Sequence, residues 1–348
     1  MPIVSNRSYV RRLRACLIAA AIAAGTSTAA YSAPTAPKSG TAAKSASRSA
    51  ILITREIERL GASAGGEIGV AAIDLAGGPS LQVRGSDAFP MASTFKIAVA
   101  ATALDQVEKG RLSLDQMVSI APDQMVVSEV IADRFIHPGV ALSLANLLEL
   151  MLTQSDNTAT DAIVRLVGGP VAVTDWLHRG GIEGQRIDRD TGDLIKDFAG
   201  LPARPTPAVV EAAVAANPSA AEDSVPNPSF DNDPRDTSTP LAMANLLAKL
   251  AKGELLSQTS TQLLLDIMGR CRTGEKRLKG MLPRSTPIAH KTGTIGGTVN
   301  DVGIITLPDA SRIVVAVFVK KSSRPVEDRE QAIAQVTRAI YDFYLLSR

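Results

Sequence analysis

The stretch Ser93-Thr94-Phe95-Lys96-Ile97-Ala98-Val99-Ala100-Ala101-Thr102-Ala103-Leu104 carries a single charge, that of Lys96. A helix that is apolar all round is a buried helix, so this segment is predicted to run through the core. It takes Lys96 with it, and an ammonium buried without purpose costs several kcal/mol. Positions i and i+3 share a helix face, so the Ser93 hydroxyl and the Lys96 amine can meet. Ser93 would stand at the helix N-terminus, where the dipole and free N–H groups favour developing negative charge. A serine needs a neighbouring base to act as a nucleophile, and a buried lysine with a lowered pKa can supply one.

Outward from this helix, both ends of the chain have strand character. Ile53, Ile57 and Leu60 recur at helical spacing, and Gly61 with Gly65-Gly66 ends that helix. Strands are predicted over Glu67–Leu75 and Leu81–Arg84 around a Gly77-Gly78-Pro79 turn. Near the other end, Val299–Leu307 and Arg312–Val319 flank a hairpin signal, and Val326–Leu346 reads as a last helix. The middle is mostly helical, with Ser143 capping Leu144–Leu152 and Asp161–Val167 ending at Gly168-Gly169-Pro170. Residues 189–235 form a long proline-rich excursion with one short helix over Ala208–Ala216, and such loops are usually functional or mobile. The expected architecture is α/β of the α+β type. An antiparallel sheet flanked by helices comes from residues 50–91 and 266–348, with an all-α domain inserted over 92–265.

The 348 residues are 45% hydrophobic and 21% charged, enough apolar material for a sizeable core. Aromatics at 3% argue against stacking platforms for single-stranded nucleic acid. Residues 1–33 hold four of the 37 basic side chains and no acidic one. The rest therefore carries 33 basic against 35 acidic groups, a near-neutral balance with no footprint for a nucleic-acid duplex. That first segment is basic to Arg14, apolar over Ala15–Ala24 and small-residued to Ala33, the pattern of a secretory signal peptide. Its apolar run is too short to span about 30 Å of bilayer. A periplasmic or secreted monomer, off the membrane after cleavage, is expected, with residues 34–49 as a disordered linker. Cys16 leaves with the signal, so Cys271 has no internal disulfide partner. With His137, His178 and His290 scattered, no common zinc spacing occurs, and no cofactor is expected.

Two further motifs bear chemistry. Ser155-Asp156-Asn157 lies in a short connection between helices, where a hydroxyl could relay a proton and an amide could hold a carbonyl. Alone, it reads better as a helix cap. Lys291-Thr292-Gly293-Thr294 begins a strand-like segment, and Gly293 permits close approach of another backbone. A lysine and hydroxyls there would bind a carboxylate and leave an N–H for an oxyanion; alone, this is a polar edge strand.

Together and in this order the three motifs are a known signature of class A β-lactamases and penicillin-binding proteins. The chain also resembles class A members over Gly69–Asp74, Phe89–Lys96, Ser155–Ala159, Gly168–Pro170, Arg235–Pro240, Thr273–Pro283 and Asn300–Gly303. The resemblance covers roughly residues 50–348 without the excursion. It implies a β-lactam substrate, Ser93 as acylated nucleophile, Lys96 as its proton acceptor and Ser155 as relay to the leaving nitrogen. It also implies oxyanion N–H groups from Ser93 and Thr294, Asn157 on the substrate's side-chain amide, and Lys291 and Thr292 on its carboxylate. Arg277 corresponds to an arginine that reinforces the carboxylate site in some members, Val299 standing where others place theirs.

One departure matters. After Arg186-Ile187-Asp188-Arg189 the family places a glutamate that activates the deacylating water, and here Thr191 takes that position, with Ile195 in place of a water-holding asparagine. The loop closes only at Arg235-Asp236, with roughly thirty residues inserted. Losing a general base costs about 10²–10⁴ in rate. Three outcomes stay open: a loop carboxylate (Asp190 or Asp193, or Glu211 or Glu222 farther on) activates the water, Lys96 serves both steps, or the acyl-enzyme turns over slowly. A β-lactamase is the expected function, with a D,D-peptidase-like or slow-turnover β-lactam-binding protein as the alternative.

Overall fold

Strand residues that are apolar without alternation need cover on both faces, and the run Ile313–Val319, buried at every position, shows how this chain supplies it. The computed structural model describes residues 39–128, 130–216 and 225–347, with side chains from residue 48. The predicted signal peptide and the first part of the predicted linker lie outside the described residues. The described chain begins with helix α1 (Ser39–Gly61).

From Ala43 onward the chain is one compact unit. Strands β1 (Glu67–Asp74) and β2 (Leu81–Val83) follow α1, and the short β3 (Phe89–Pro90) leads through a 3-10 turn (Ala92–Phe95) into α2 (Lys96–Glu108). Next come β4 (Met117–Ile120), α3 (Ile131–Arg134), β5 (Val140–Ser143), α4 (Leu144–Thr153), α5 (Asn157–Val167) and α6 (Pro170–Arg179). The proline-rich excursion holds α7 (Thr191–Ala199), α8 (Pro207–Ala216) and α9 (Pro228–Asp231), then β6 (Thr237–Ser238) pairs with β3. Helices α10 (Pro240–Ala251) and α11 (Gln258–Gly269) precede β7 (Ile288–Ile295), β8 (Thr298–Thr306), β9 (Arg312–Lys320) and α12 (Val326–Leu346). Ser143 caps α4 through its bond from Asn146 N, as its position predicts.

The main sheet is antiparallel in the order β2-β1-β9-β8-β7, so the two ends of the chain lie side by side and β9 is central. Val314, Ala316 and Phe318 face the core of the helical half, which is built on α2. Val315, Val317 and Val319 face the opposite way, onto Ile57 of α1 and Ile333, Val336 and Ile340 of α12. All nine residues from Lys96 to Leu104 are buried. Among the described residues no helix is long and apolar enough to cross a membrane.

Gly69 of β1 lies opposite Phe318, where an added Cβ would press into the Phe89 ring and come within 2.8 Å of Pro240 Cγ. Overpacking such a site costs about 1–3 kcal/mol. Gly69→Ala is therefore expected to lower the urea midpoint with an unchanged slope, and a midpoint equal to wild type would show that this seam can relax.

Candidate active site

The turn Ala92–Phe95 places Ser93 half-buried at the entry to α2, with Thr94 and Phe95 buried beside it. The backbone before it is held from three sides. Met91 N donates to Asp236 O at 3.0 Å, and Asn300 Nδ2 of β8 donates to Pro90 O and Met91 O at 2.9 and 3.0 Å. Gly293 of β7 supplies the third: a Cβ there would lie 2.6 Å from Met91 O and 3.0 Å from Ser93 N. Ala92 sits at φ +45°, a conformation an L-residue keeps only when its surroundings impose it.

Lys96 Nζ donates to Ser155 O at 2.7 Å and to Asn157 Oδ1 at 2.8 Å, and lies 3.2 Å from Ser155 Oγ. These acceptors draw the amine across to the connection between α4 and α5, so the expected direct bond from Lys96 to Ser93 is not among its contacts. Burial, and then the charge on Lys291, hold Lys96 well below the ordinary lysine range. A neutral amine has two hydrogens and one lone pair. With the hydrogens on the two carbonyl oxygens, the lone pair is left for a hydroxyl. Lys291 Nζ reaches the same hydroxyl from the other side, donating to Ser155 Oγ at 3.0 Å and to Thr292 O at 2.9 Å. Burial lowers Lys291 only to about 8, so it is charged at neutral pH.

The capping reading of Ser155-Asp156-Asn157 holds at its middle residue. Asp156 is the cap of α5: it accepts from Ala159 N at 2.7 Å, and also from Ser128 Oγ and Ile131 N at 2.9 Å each. That anchorage leaves Ser155, at φ +59°, to present its hydroxyl to the two lysines. Asn157 Nδ2 donates to Val127 O at 2.8 Å, and Asn157 lines a cleft of about 490 Å³ with Ser128, Ile195, Phe198 and Thr294.

Thr294 is exposed at the cleft edge of β7, paired across the sheet with Val299. Arg277 comes from below, donating to Thr294 Oγ1 at 2.8 Å and to the carbonyls of Gly293 and Asn300. Its Nε pairs with Glu330 at 3.0 Å. Arg277 thus braces the strand and acts on the site through Thr294.

The excursion is closed at its neck by Arg189, whose Nε meets Asp236 Oδ2 at 2.6 Å, while Asp236 Oδ1 accepts from the backbone of Asp188 and Arg189. Thr191, at the start of α7, is buried with its hydroxyl unpartnered among the described residues. Its N–H and that of Gly192 go to the two oxygens of Asp161 on α5, at 2.7 and 2.9 Å. Arg204 from the insertion bonds both Asp161 and Asp190. Asp190 also caps α7 by accepting from Asp193 N at 2.8 Å, so both of its oxygens are engaged. Asp193 is exposed on the first turn of α7, Glu211 is exposed on α8, and Glu222 lies outside the described residues.

The model of the β-lactamase enzyme family matches residues 52–344. The chain belongs to this family. Similar proteins include the β-lactamase VEB-1 of Pseudomonas aeruginosa, 29% identical over 84% of this chain and 90% of that one. The extended-spectrum β-lactamase PER-1 of the same organism is 33% identical over 76% and 78%. Among solved structures, a β-lactamase from Chitinophaga pinensis superposes with a TM-score of 0.68 at 33% identity, covering 83% of this chain and 98% of that one. An ancestral class A β-lactamase gives a TM-score of 0.70 at 33% identity, over 83% and 99%.

In this β-lactamase the structure brings Lys96, Ser155, Asn157 and Lys291 into one hydrogen-bonded group, and packs Gly293 against the Ser93 turn. It sets Asp190 and Asp193 on the wall of the excursion, tied to Arg204 or to solvent. Sequence reasoning missed Asp161 and Arg204, although Asp161 follows Asn157 at i+4 on one helix face. His290, read as an ordinary packed or surface residue, is packed: it is fully buried beside Lys291 and bonded to Asp301 at 2.9 Å.

Two outcomes follow from this geometry. Gly293→Ala is expected to slow acylation by about 10²-fold, because displacing a nucleophile by ~1 Å costs that much; single-turnover mixing with a chromogenic cephalosporin measures it, and a wild-type rate would refute the close-approach argument. Burial, and then Asp190, push the Asp161 carboxyl up from its ordinary 3.8 to about 6, against Arg204 and two backbone N–H groups. The native state then holds a proton that the unfolded chain has released, so this stabilisation is full below 3.8 and is lost as pH rises through about 6. Unfolding midpoints of Asp161→Asn between pH 4 and 7 should vary less than wild type, and parallel curves would exclude this titration.

Proposed function

We propose that the protein hydrolyses β-lactams through an acyl-enzyme on Ser93, with Lys96 as the base of both half-reactions. The observation that carries this is the pair of buried lysine amines that converge on Ser155 Oγ, Lys96 at 3.2 Å and Lys291 at 3.0 Å. A neutral Lys96 can take the Ser93 proton as the hydroxyl attacks the lactam carbonyl. The backbone N–H groups of Ser93 and Thr294 receive the oxyanion. Ser155 passes a proton to the departing nitrogen and is recharged from Lys96, to which its hydroxyl is already joined. Lys291 and Thr292 hold the substrate carboxylate, and Asn157, with one amide hydrogen beyond its bond to Val127 O, holds the side-chain amide.

For deacylation, Asp190 is committed to a helix cap and to Arg204, and Thr191 has no charge to offer. Lys96 is the basic group left inside the site, so deacylation is the slower step and the acyl-enzyme accumulates during turnover. The basic, apolar and small-residue order of residues 1–33 supports export, with the enzyme acting as a soluble periplasmic or secreted monomer on a free small molecule.

Intact-mass analysis during turnover of a chromogenic cephalosporin tests the scheme. A substrate-sized adduct should appear and decay with continued product release, and Ser93→Ala should form none; an adduct on that variant would move the nucleophile elsewhere. Asp190→Asn and Asp193→Asn should each keep deacylation within about tenfold of wild type. A loss of about 10²–10⁴ in either would give the base role to that aspartate.

A further inference from the structure

Behind the strand that carries Lys291 lies a group of ionisable side chains that the proposed reaction leaves unused. Cys271 follows α11 and is buried, and His290 of β7 and Asp301 of β8 are fully buried beside it. His290 Nδ1 lies 2.9 and 3.1 Å from the Asp301 oxygens, so that nitrogen carries a hydrogen and donates it. His290 Nε2 has no hydrogen-bond partner among the described residues, and the imidazole and the Cys271 thiol influence each other's charge. On its other side, Cys271 Sγ is 3.3 Å from Thr273 Oγ1, which is 2.6 Å from Thr292 Oγ1. Thr292 belongs to the pair assigned above to the substrate carboxylate.

Each hydroxyl has one hydrogen, and the sulfur's other acceptor, Thr273 O, is farther away at 3.8 Å, so the charge on the sulfur favours one direction of this row of three atoms over the other. If the sulfur is protonated, it donates to Thr273, Thr273 donates to Thr292, and the Thr292 hydrogen is free to point into the cleft. If the sulfur is a thiolate, Thr273 donates to it, Thr292 donates to Thr273, and Thr292 offers the cleft only lone pairs. A substrate carboxylate is an acceptor and is served by the first arrangement alone.

We propose that Cys271 is a positioning residue for substrate recognition: its proton sets the direction of the hydroxyl row, and so whether Thr292 can donate to the carboxylate. This rests on the assignment of Lys291 and Thr292 to that carboxylate. The surroundings bring the switch into the range where enzymes work. Burial raises the thiol, but the His290 imidazolium, Lys291 and the Thr273 hydroxyl outweigh it and hold Cys271 at about 6. His290 is itself opposed by burial and held at about 9 by Asp301. Lys279 Nζ also donates to Cys271 O at 3.4 Å, Arg272 beside it in the chain is exposed, and Arg270 before it is ion-paired with Glu149 of α4.

The sign follows directly. Below about pH 6 the sulfur is protonated and the carboxylate is bound well; as pH rises through that value the row reverses and the carboxylate is held by Lys291 alone. By reciprocity, binding a carboxylate draws a proton onto Cys271.

The test measures, by stopped flow from pH 5 to 7.5, the half-saturating concentration of a penicillin for acylation and the limiting rate. That range stays below the Lys291 transition at about 8, and Asp161 titrates alike in every variant. In wild type the half-saturating concentration should rise about tenfold across the range, the worth of one charge-assisted hydrogen bond. In Cys271→Ala and Cys271→Ser it should stay flat at the low-pH value, with the limiting rate within about twofold of wild type. Thr292→Val should raise it at every pH. A thiolate band near 240 nm should titrate near pH 6 in wild type and be absent from Cys271→Ala. If Thr292→Val weakens saturation but the cysteine variants keep the wild-type slope, or the band does not titrate, the switch is overturned and the carboxylate assignment stands. If Thr292→Val saturates like wild type, the assignment falls and the switch falls with it.

Discussion

Two amines buried around one hydroxyl cannot both be charged without a large electrostatic cost. The geometry at Ser155 resolves that conflict by giving each lysine a different set of partners. Lys96 is ringed by acceptors that two amine hydrogens can satisfy, while Lys291 keeps company with Asp301 and the thiol of Cys271. The charge on Lys291 adds to burial in holding Lys96 down, so a change around Lys291 also reaches Lys96. The positive φ at Ser155, the buried cap at Asp156 and the all-apolar α2 serve this one arrangement. Helix α2 excludes water from Lys96, and Asp156 fixes the connection that brings Ser155 and Asn157 to it.

The main sheet supplies the other half of the site by a different physical route. Sheet strands are stiff, and β7 is held along its length by β8. That rigidity lets a single missing side chain, at Gly293, set how closely the Ser93 turn can dock. Arg277 below and Asn300 alongside tie the same turn and strand through backbone carbonyls, so their influence on chemistry runs through position.

Much of this was legible in the sequence where the signal was local. The apolar run after Ser93, the cap at Ser143 and the hairpin flanking Pro308 each depend on neighbours within a few residues, and each appears as expected. The connections that span long separations were not legible. Nothing in the spacing shows that Arg204 of the excursion reaches back to Asp161, or that Cys271, His290 and Asp301 converge, because the topology that unites them is not encoded in any window. Lys96 stood out by its chemistry, but its partners Ser155 and Asn157 lie where α4 meets α5.

The neck of the excursion carries a consequence of its own. With Arg189 and Asp236 fixing both ends, the entropy of joining them rises only slowly with the length between, by about 0.6 kcal/mol for each doubling. A clasp of this kind makes the enclosed segment nearly indifferent to how many residues it contains, provided the wall next to the cleft stays anchored. Here that anchorage is α7, seated through Thr191 and Gly192 on Asp161 and through Phe198 on Phe230. The rest of the segment is thereby free to drift in length and composition over evolutionary time while the catalytic wall it leads into keeps its shape.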